Sequence, residues 1–153
     1  MRTYLVVLDE TPEGMLALRF ATRRAANTGG ALEVLALVPK PKFVAWGGVE
    51  ATMEQEAFEH AEELVQAALE TVAVETRESV HPSIRVREGN AIDQVRAILL
   101  ENPNIAALVL GAAAQGHPGP LVSAFTGPEA GKLPCPVMII PGGLSDAALD
   151  RLC

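Results

Sequence analysis

Three places in the 153-residue sequence gather residue types able to handle a small polar ligand. Asp9 follows the apolar run YLVVL and precedes Thr11-Pro12-Glu13, so a carboxylate stands where a strand gives way to a helix. Two readings of Asp9 stand level: a ligand contact, or an acid favoured at the positive start of that helix. Gly111 closes the apolar run from Ile105 to Leu110 and opens a loop, QGHPGP, that is rich in glycine and proline. A glycine there admits a phosphate close to the backbone, but a turn leaving a strand needs the same freedom, and the structural use is the commoner one. Ser123 could donate to a phosphate; on a short helix with apolar neighbours a serine more often caps or bonds back to its own backbone. His117 is the one histidine near this loop, and with no acid or nucleophile assigned to it the sequence reads it as an exposed loop residue, not a general base. His60 and His81 are scattered, which gives no metal-ligand spacing. Cys135, between prolines, reads as an inert apolar side chain, and Cys153 as the more reactive thiol.

The elements that must position these residues follow from hydrophobic runs and their punctuation. Tyr4 to Leu8, Leu32 to Val38, Ile84 to Val86, Ile105 to Leu110 and Val137 to Ile140 are short apolar runs bounded by Gly, Pro or charge, as in strands covered on both faces. Thr11 followed by Pro12 marks a helix start, and Gly29-Gly30 its end. In that helix Met15, Leu18, Ala21 (or Thr22) and Ala25 recur on one face, while Arg19, Arg23 and Arg24 are expected to face water. A long helix is expected from Glu50 to Arg77, with Met53, Ala57, Ala61, Leu64, Val65, Ala68 and Val72 as its apolar stripe and a run of glutamates as its wetted face. Asn90 is placed to cap a further helix whose Ile92, Val95, Ile98 and Leu99 point inward. Leu121, Val122 and Phe125 share one face of a short helix before the last strand, and Ser145 caps a terminal helical turn. Phe43 and Trp46 fall on an irregular stretch, PKPKFVAWGG, that either covers the sheet end or marks a contact surface. Strictly alternating strands and helices give an α/β fold: a single doubly wound five-stranded parallel sheet with helices on both faces. Residues 1–142 make up the domain and 143–153 a short C-terminal tail.

Composition narrows the function. Lys and Arg number 12 against 19 Asp and Glu, a formal net charge of -7, which argues against nucleic acid as a partner. Hydrophobic residues make up 49% and aromatic residues 4%, so an aliphatic core is expected. No apolar run approaches the roughly 20 residues of a membrane span. The N-terminal apolar run, cut short by Asp9, is too brief for a typical signal peptide. Reduced thiols and a cytoplasmic location are the expectation. A dinucleotide site would need GxGxxG after the first strand, where the sequence reads DETPEG, and no GxxxxGK[ST] occurs. A phosphoacceptor receiver would need paired acids after strand one, for which Asp9-Glu10 could pass, an acceptor Asp after strand three and a Lys after strand five; Glu88 and Ile140-Pro141 stand at the last two places instead.

Over nearly its whole length the chain resembles the universal stress protein family. The resemblance is carried by YLVVLDETPEGMLAL, LEVLALV, VREGNAIDQV leading to IAALVLGA, and LPCPVMIIPG. It implies a strand order 3-2-1-4-5, a non-enzymatic role in stress response, and a homodimer formed through the last strand. In ATP-binding members the fourth strand ends in G-x2-G-x9-G-[ST], which cradles phosphates, while the strand-one Asp and strand two hold the nucleoside. Here Gly111 matches the first glycine, Ala114 replaces the second, and Ser123-Ala124 stand where the family has Gly-[Ser/Thr], with the loop one residue shorter. Asp9 is retained, Leu37 falls at or next to the adenine-contacting position, and Gly116 and Gly119 restore some room. Two prolines remove amide donors from the loop. Weak or absent ATP binding is therefore expected; the alternative is a crevice at the carboxyl ends of strands one and four that takes AMP, another adenine nucleotide or another small molecule. ATP or AMP as cofactor, and none, stand as equal expectations.

Overall fold

The computed structural model describes residues 2–39, 49–76 and 80–153. In chain order the elements are β1 (Thr3–Leu8), α1 (Pro12–Thr28), β2 (Ala31–Val38), α2 (Val49–Thr76), β3 (Ser83–Glu88), α3 (Ala91–Glu101), β4 (Ile105–Ala112), α4 (Pro120–Thr126), a single 3-10 turn (Ala130–Lys132), β5 (Val137–Pro141) and α5 (Asp146–Leu152). All strand pairings are parallel and the sheet order is β3-β2-β1-β4-β5, as the sequence reading expects.

Each apolar strand serves two cores, because successive side chains point to opposite faces. Tyr4, Val6 and Leu8 of β1 join Val34 and Ala36 of β2 under α1, α2 and α5. Leu5 and Val7 join Leu35, Leu108 and Leu110 under α3 and α4. Helix starts follow local chemistry. The Gly14 amide donates to Thr11 Oγ1 at 3.0 Å, the Asp93 amide to Asn90 Oδ1 at 3.1 Å, and the Ala148 amide to Ser145 Oγ at 3.1 Å. These satisfy amides that a helix start otherwise leaves open.

Two expectations need correction. Arg19 does not face water: it is only 8% exposed, because α5 closes over that side of α1. Its guanidinium donates to both carboxylate oxygens of Asp150, at 3.0 and 2.9 Å, and to Glu75 at 2.7 Å. Along α2 the buried positions are Val65 and Val72, with Ala61, Ala68 and Leu69 half-buried, whereas Met53 and Leu64 are 48% and 38% exposed. The core face therefore keeps Ala61, Val65, Ala68 and Val72 of the expected stripe and leaves Met53 and Leu64 largely to solvent. On the edge strand β3, Arg85 pairs with the buried Glu33 and Arg87 with Glu101 at 2.7 Å. Arg77, Phe43 and Trp46 lie outside the described residues.

Candidate ligand-binding site

The sheet splits at one point. The β1–β4 ladder runs from Thr3 with Ile105, across a register shift before Tyr4, to Val6 with Val109 and stops there. Beyond it β1 stays on β2 through Leu8 with Ala36, and β4 stays on β5 through Ala112 with Pro141. The two central strands thus part at their carboxyl ends, where the winding of the sheet reverses. Open α/β sheets hold ligands at such a switch point.

A cavity of about 670 Å³ occupies this end of the sheet. Its floor includes Leu8, Leu37 and Leu110 from the strands, and one wall is the α2 face carrying Ala61, Leu64, Val65 and Ala68. The loop before α4 supplies the other side through Pro118, Gly119 and Pro120. Three carboxylates line it, Asp9, Glu10 and Glu13, and no Lys or Arg does so among the described residues. Lys40 and Lys42 lie outside the described residues.

Asp9 has a local duty as well as a place on the cavity. Its Oδ1 accepts the Thr11 amide at 3.1 Å and also the Thr11 hydroxyl, and Thr11 in turn caps α1. Gly111 likewise answers to packing: a Cβ there would collide with the Glu13 carbonyl oxygen and come within 2.5 Å of the Glu13 carbonyl carbon. The first turn of α1 rests directly on the end of β4, and only glycine permits that approach. Of the sequence-selected residues, Asp9, Leu37 and Gly111 line the cavity, whereas Ala114, Gly116, Ser123 and Ala124 do not. Gly116 sits at the exposed loop tip with φ 74°, a left-handed conformation that itself favours glycine.

His117 has partners that the sequence did not assign to it. The Gly119 amide donates to His117 Nδ1 at 3.1 Å, so the neutral ring carries its proton on Nε2, which lies 3.2 Å from Ser123 Oγ. The imidazole then donates to the serine. A general base needs the opposite polarity, accepting the serine proton. This His–Ser pair therefore fastens the loop: together with the Ala113 amide donating to the Pro118 carbonyl at 3.1 Å, it holds the turn before α4. One consequence reaches the cavity. Across Pro118, Gly119 and Pro120 no amide is left to donate, since two lack N–H and the third is spent on His117.

The thiols sit apart from this site. Cys153, the expected reactive thiol, donates to the Leu149 carbonyl at 3.3 Å, and burial pushes its pKa up. Burial also pushes the Cys135 thiol up. Neither is activated toward thiolate chemistry.

The sequence profile of the universal stress protein family matches residues 1–141. The chain belongs to this family. Solved structures agree in fold. Universal stress protein UspA from Lactobacillus plantarum superposes with a TM-score of 0.70 at 21% identity, covering 91% of this chain and 97% of its own. A universal stress protein family member from Burkholderia pseudomallei gives 0.66 at 18% identity, covering 91% and 95%. The universal stress protein from Archaeoglobus fulgidus in complex with dAMP gives 0.56 at 15% identity, covering 92% and 98%. A comparison with curated proteins gives no match. The space beside Gly111 is taken by the first turn of α1. Glu13 was not selected from the sequence as a site residue. Its position in the first turn after a strand-one Asp was the signal that could have found it. The α2 wall had a fainter one, alanines Ala61 and Ala68 spaced seven apart on one helix face.

Proposed function

We propose that this universal stress protein is a non-enzymatic, cytoplasmic stress-response protein that works as a homodimer and binds ATP weakly or not at all. One observation carries the nucleotide part: the described cavity lining presents Asp9, Glu10 and Glu13 and no cation, beside a loop segment without free amides. A triphosphate needs donors and positive charge, and like charges at close range oppose it. Calorimetric titration with Mg-ATP is expected to give a Kd weaker than about 1 mM. Micromolar binding would overturn this reading. The orientation of the His117–Ser123 pair supports the absence of hydrolytic chemistry.

A second reading has its own support. The Archaeoglobus relative is described with dAMP, and the cavity here has the size of a small-molecule site, so an adenine nucleotide or another small molecule in the β1–β4 crevice remains in play. Mass spectrometry of the supernatant from denatured, freshly purified protein tests it, with a clean supernatant counting against it. In the proposed dimer, residues 1–142 form the domain and 143–153 a tail lying on it. The dimer rests on β5, which pairs with β4 alone and so presents an open apolar edge. Light scattering should return twice the 16.1 kDa chain mass; the monomer mass at micromolar concentration would remove the dimer.

A further inference from the structure

The cavity lining also carries a preference among ligands that are not nucleotides. Its floor and α2 wall are aliphatic, and Leu64, on that wall, stays 38% exposed. Ala36, Ala61 and Ala68 keep the space between the walls open. At roughly 670 Å³ the room suits one compact, ring-containing molecule. The charged side chains of the described lining are all acids. Glu10 and Glu13 form no ion pair with any described residue, Asp9 is turned to Thr11, and the segment 118–120 donates no amide. An anionic group entering here would lose its hydration, find no donor on that segment, and face three carboxylates. An apolar body without such a group would lose little and gain the aliphatic walls.

We propose that this cavity is a binding site for a compact, uncharged apolar molecule and that Asp9, Glu10 and Glu13 exclude anionic versions of the same body. The proposal rests on the reading of the crevice as a ligand site, and it assigns that site a ligand class that does not depend on adenine.

Two fluorescent probes separate the ideas, because they share an anilinonaphthalene body and differ by one sulfonate. N-phenyl-1-naphthylamine is uncharged, and 8-anilinonaphthalene-1-sulfonate is anionic. The uncharged probe is expected to saturate a single site and to shift the NMR amide signals of Leu37, Leu64 and Leu110, with the sulfonate binding at least about tenfold more weakly at low salt. The double variant Glu10→Gln/Glu13→Gln should narrow that gap to about threefold or less, whereas Glu63→Gln/Glu70→Gln, which removes the same net charge from exposed α2 positions, should leave it unchanged. Equal binding of the two probes at these amides would overturn charge exclusion while leaving the ligand site in place. Equal narrowing by both double variants would also overturn it, by assigning the effect to net charge. If the uncharged probe shifts none of the cavity amides, the ligand-site reading fails, and the proposal with it. Ala61→Trp should abolish the saturable signal; because that variant risks the fold, the amide shifts of the unaltered protein remain the deciding measurement.

Discussion

Glu13 and Arg19 stand on the same helix, about 9 Å apart along its axis at 1.5 Å per residue, and their surroundings are opposite. Arg19 is buried and fully engaged: Asp150 grips it through two oxygens, Glu75 takes a third hydrogen bond, and Asp146 lies at 3.8 Å. Those bonds raise its pKa and hold the Asp150 carboxyl below the usual carboxylate range, the Arg19 hydrogen bond being the main cause. Glu13 is half-buried on the cavity, beside two other acids and with no described cation. Charge that closes the fold is matched atom for atom; charge at the cavity is left unmatched. The difference separates the part of α1 that holds the protein together from the part available to a ligand.

The sharpest way to break this contrast is Arg19→Met. It takes this partner from Asp150 of α5 and Glu75 of α2 and should lower the unfolding free energy by about 2 kcal/mol, read from the urea midpoint. Arg19→Lys should recover only part of the loss, since an ammonium cannot grip both Asp150 oxygens in the same plane. The pH dependence carries the same signature. With its folded pKa depressed, Asp150 contributes stability that is present above its unfolded value near 3.8 and lost as pH falls through the lower folded value. Thermal melts should therefore lose stability below that pH in the parent, and Arg19→Met should flatten this acid limb.

Gly111→Ala comes next, at about 1–3 kcal/mol, because the added methyl drives the first turn of α1 off β4. Its melting temperature should fall even in the absence of any ligand. An unchanged melt would mean that this glycine is kept for ligand approach and not for packing. Asp9→Ala should cost about 1 kcal/mol through the loss of its bonds to Thr11. The smallest effect belongs to Glu13→Gln, a few tenths of a kcal/mol, from one acid less at the positive end of α1. Removing charge from the clasp thus costs stability, whereas removing the unpaired charge of Glu13 should leave the melt nearly unchanged. A Glu13→Gln variant as unstable as Arg19→Met would erase the distinction.

The sheet was legible in the sequence because each strand is an aliphatic run closed by Gly, Pro or an acid, and parallel strands covered on both faces require such runs. The capped starts at Thr11, Asn90 and Ser145 were legible for a similar reason: the capping bond is local, spanning three residues. Partners distant in sequence were not. Arg19 looks like a surface residue within its own helix, and only the arrival of α5, more than a hundred residues later, buries it. His117 and Ser123 are six residues apart, yet their meeting depends on the left-handed turn between them. On α2 the helical period was correct, but which turns meet the sheet depends on where the helix is laid down, so Met53 and Leu64 came out exposed.

By itself the sequence determined the strands, the alternation with helices and hence the parallel sheet, since those follow from runs, caps and breakers acting over a few residues. Tertiary structure decided the rest: that the space at Gly111 belongs to α1, that Arg19 is a buried clasp, and that Asp9, Glu10 and Glu13 line a cavity bounded by α2. These are matters of close approach between segments far apart in the chain. No local pattern encodes the distance between surfaces that meet only after folding.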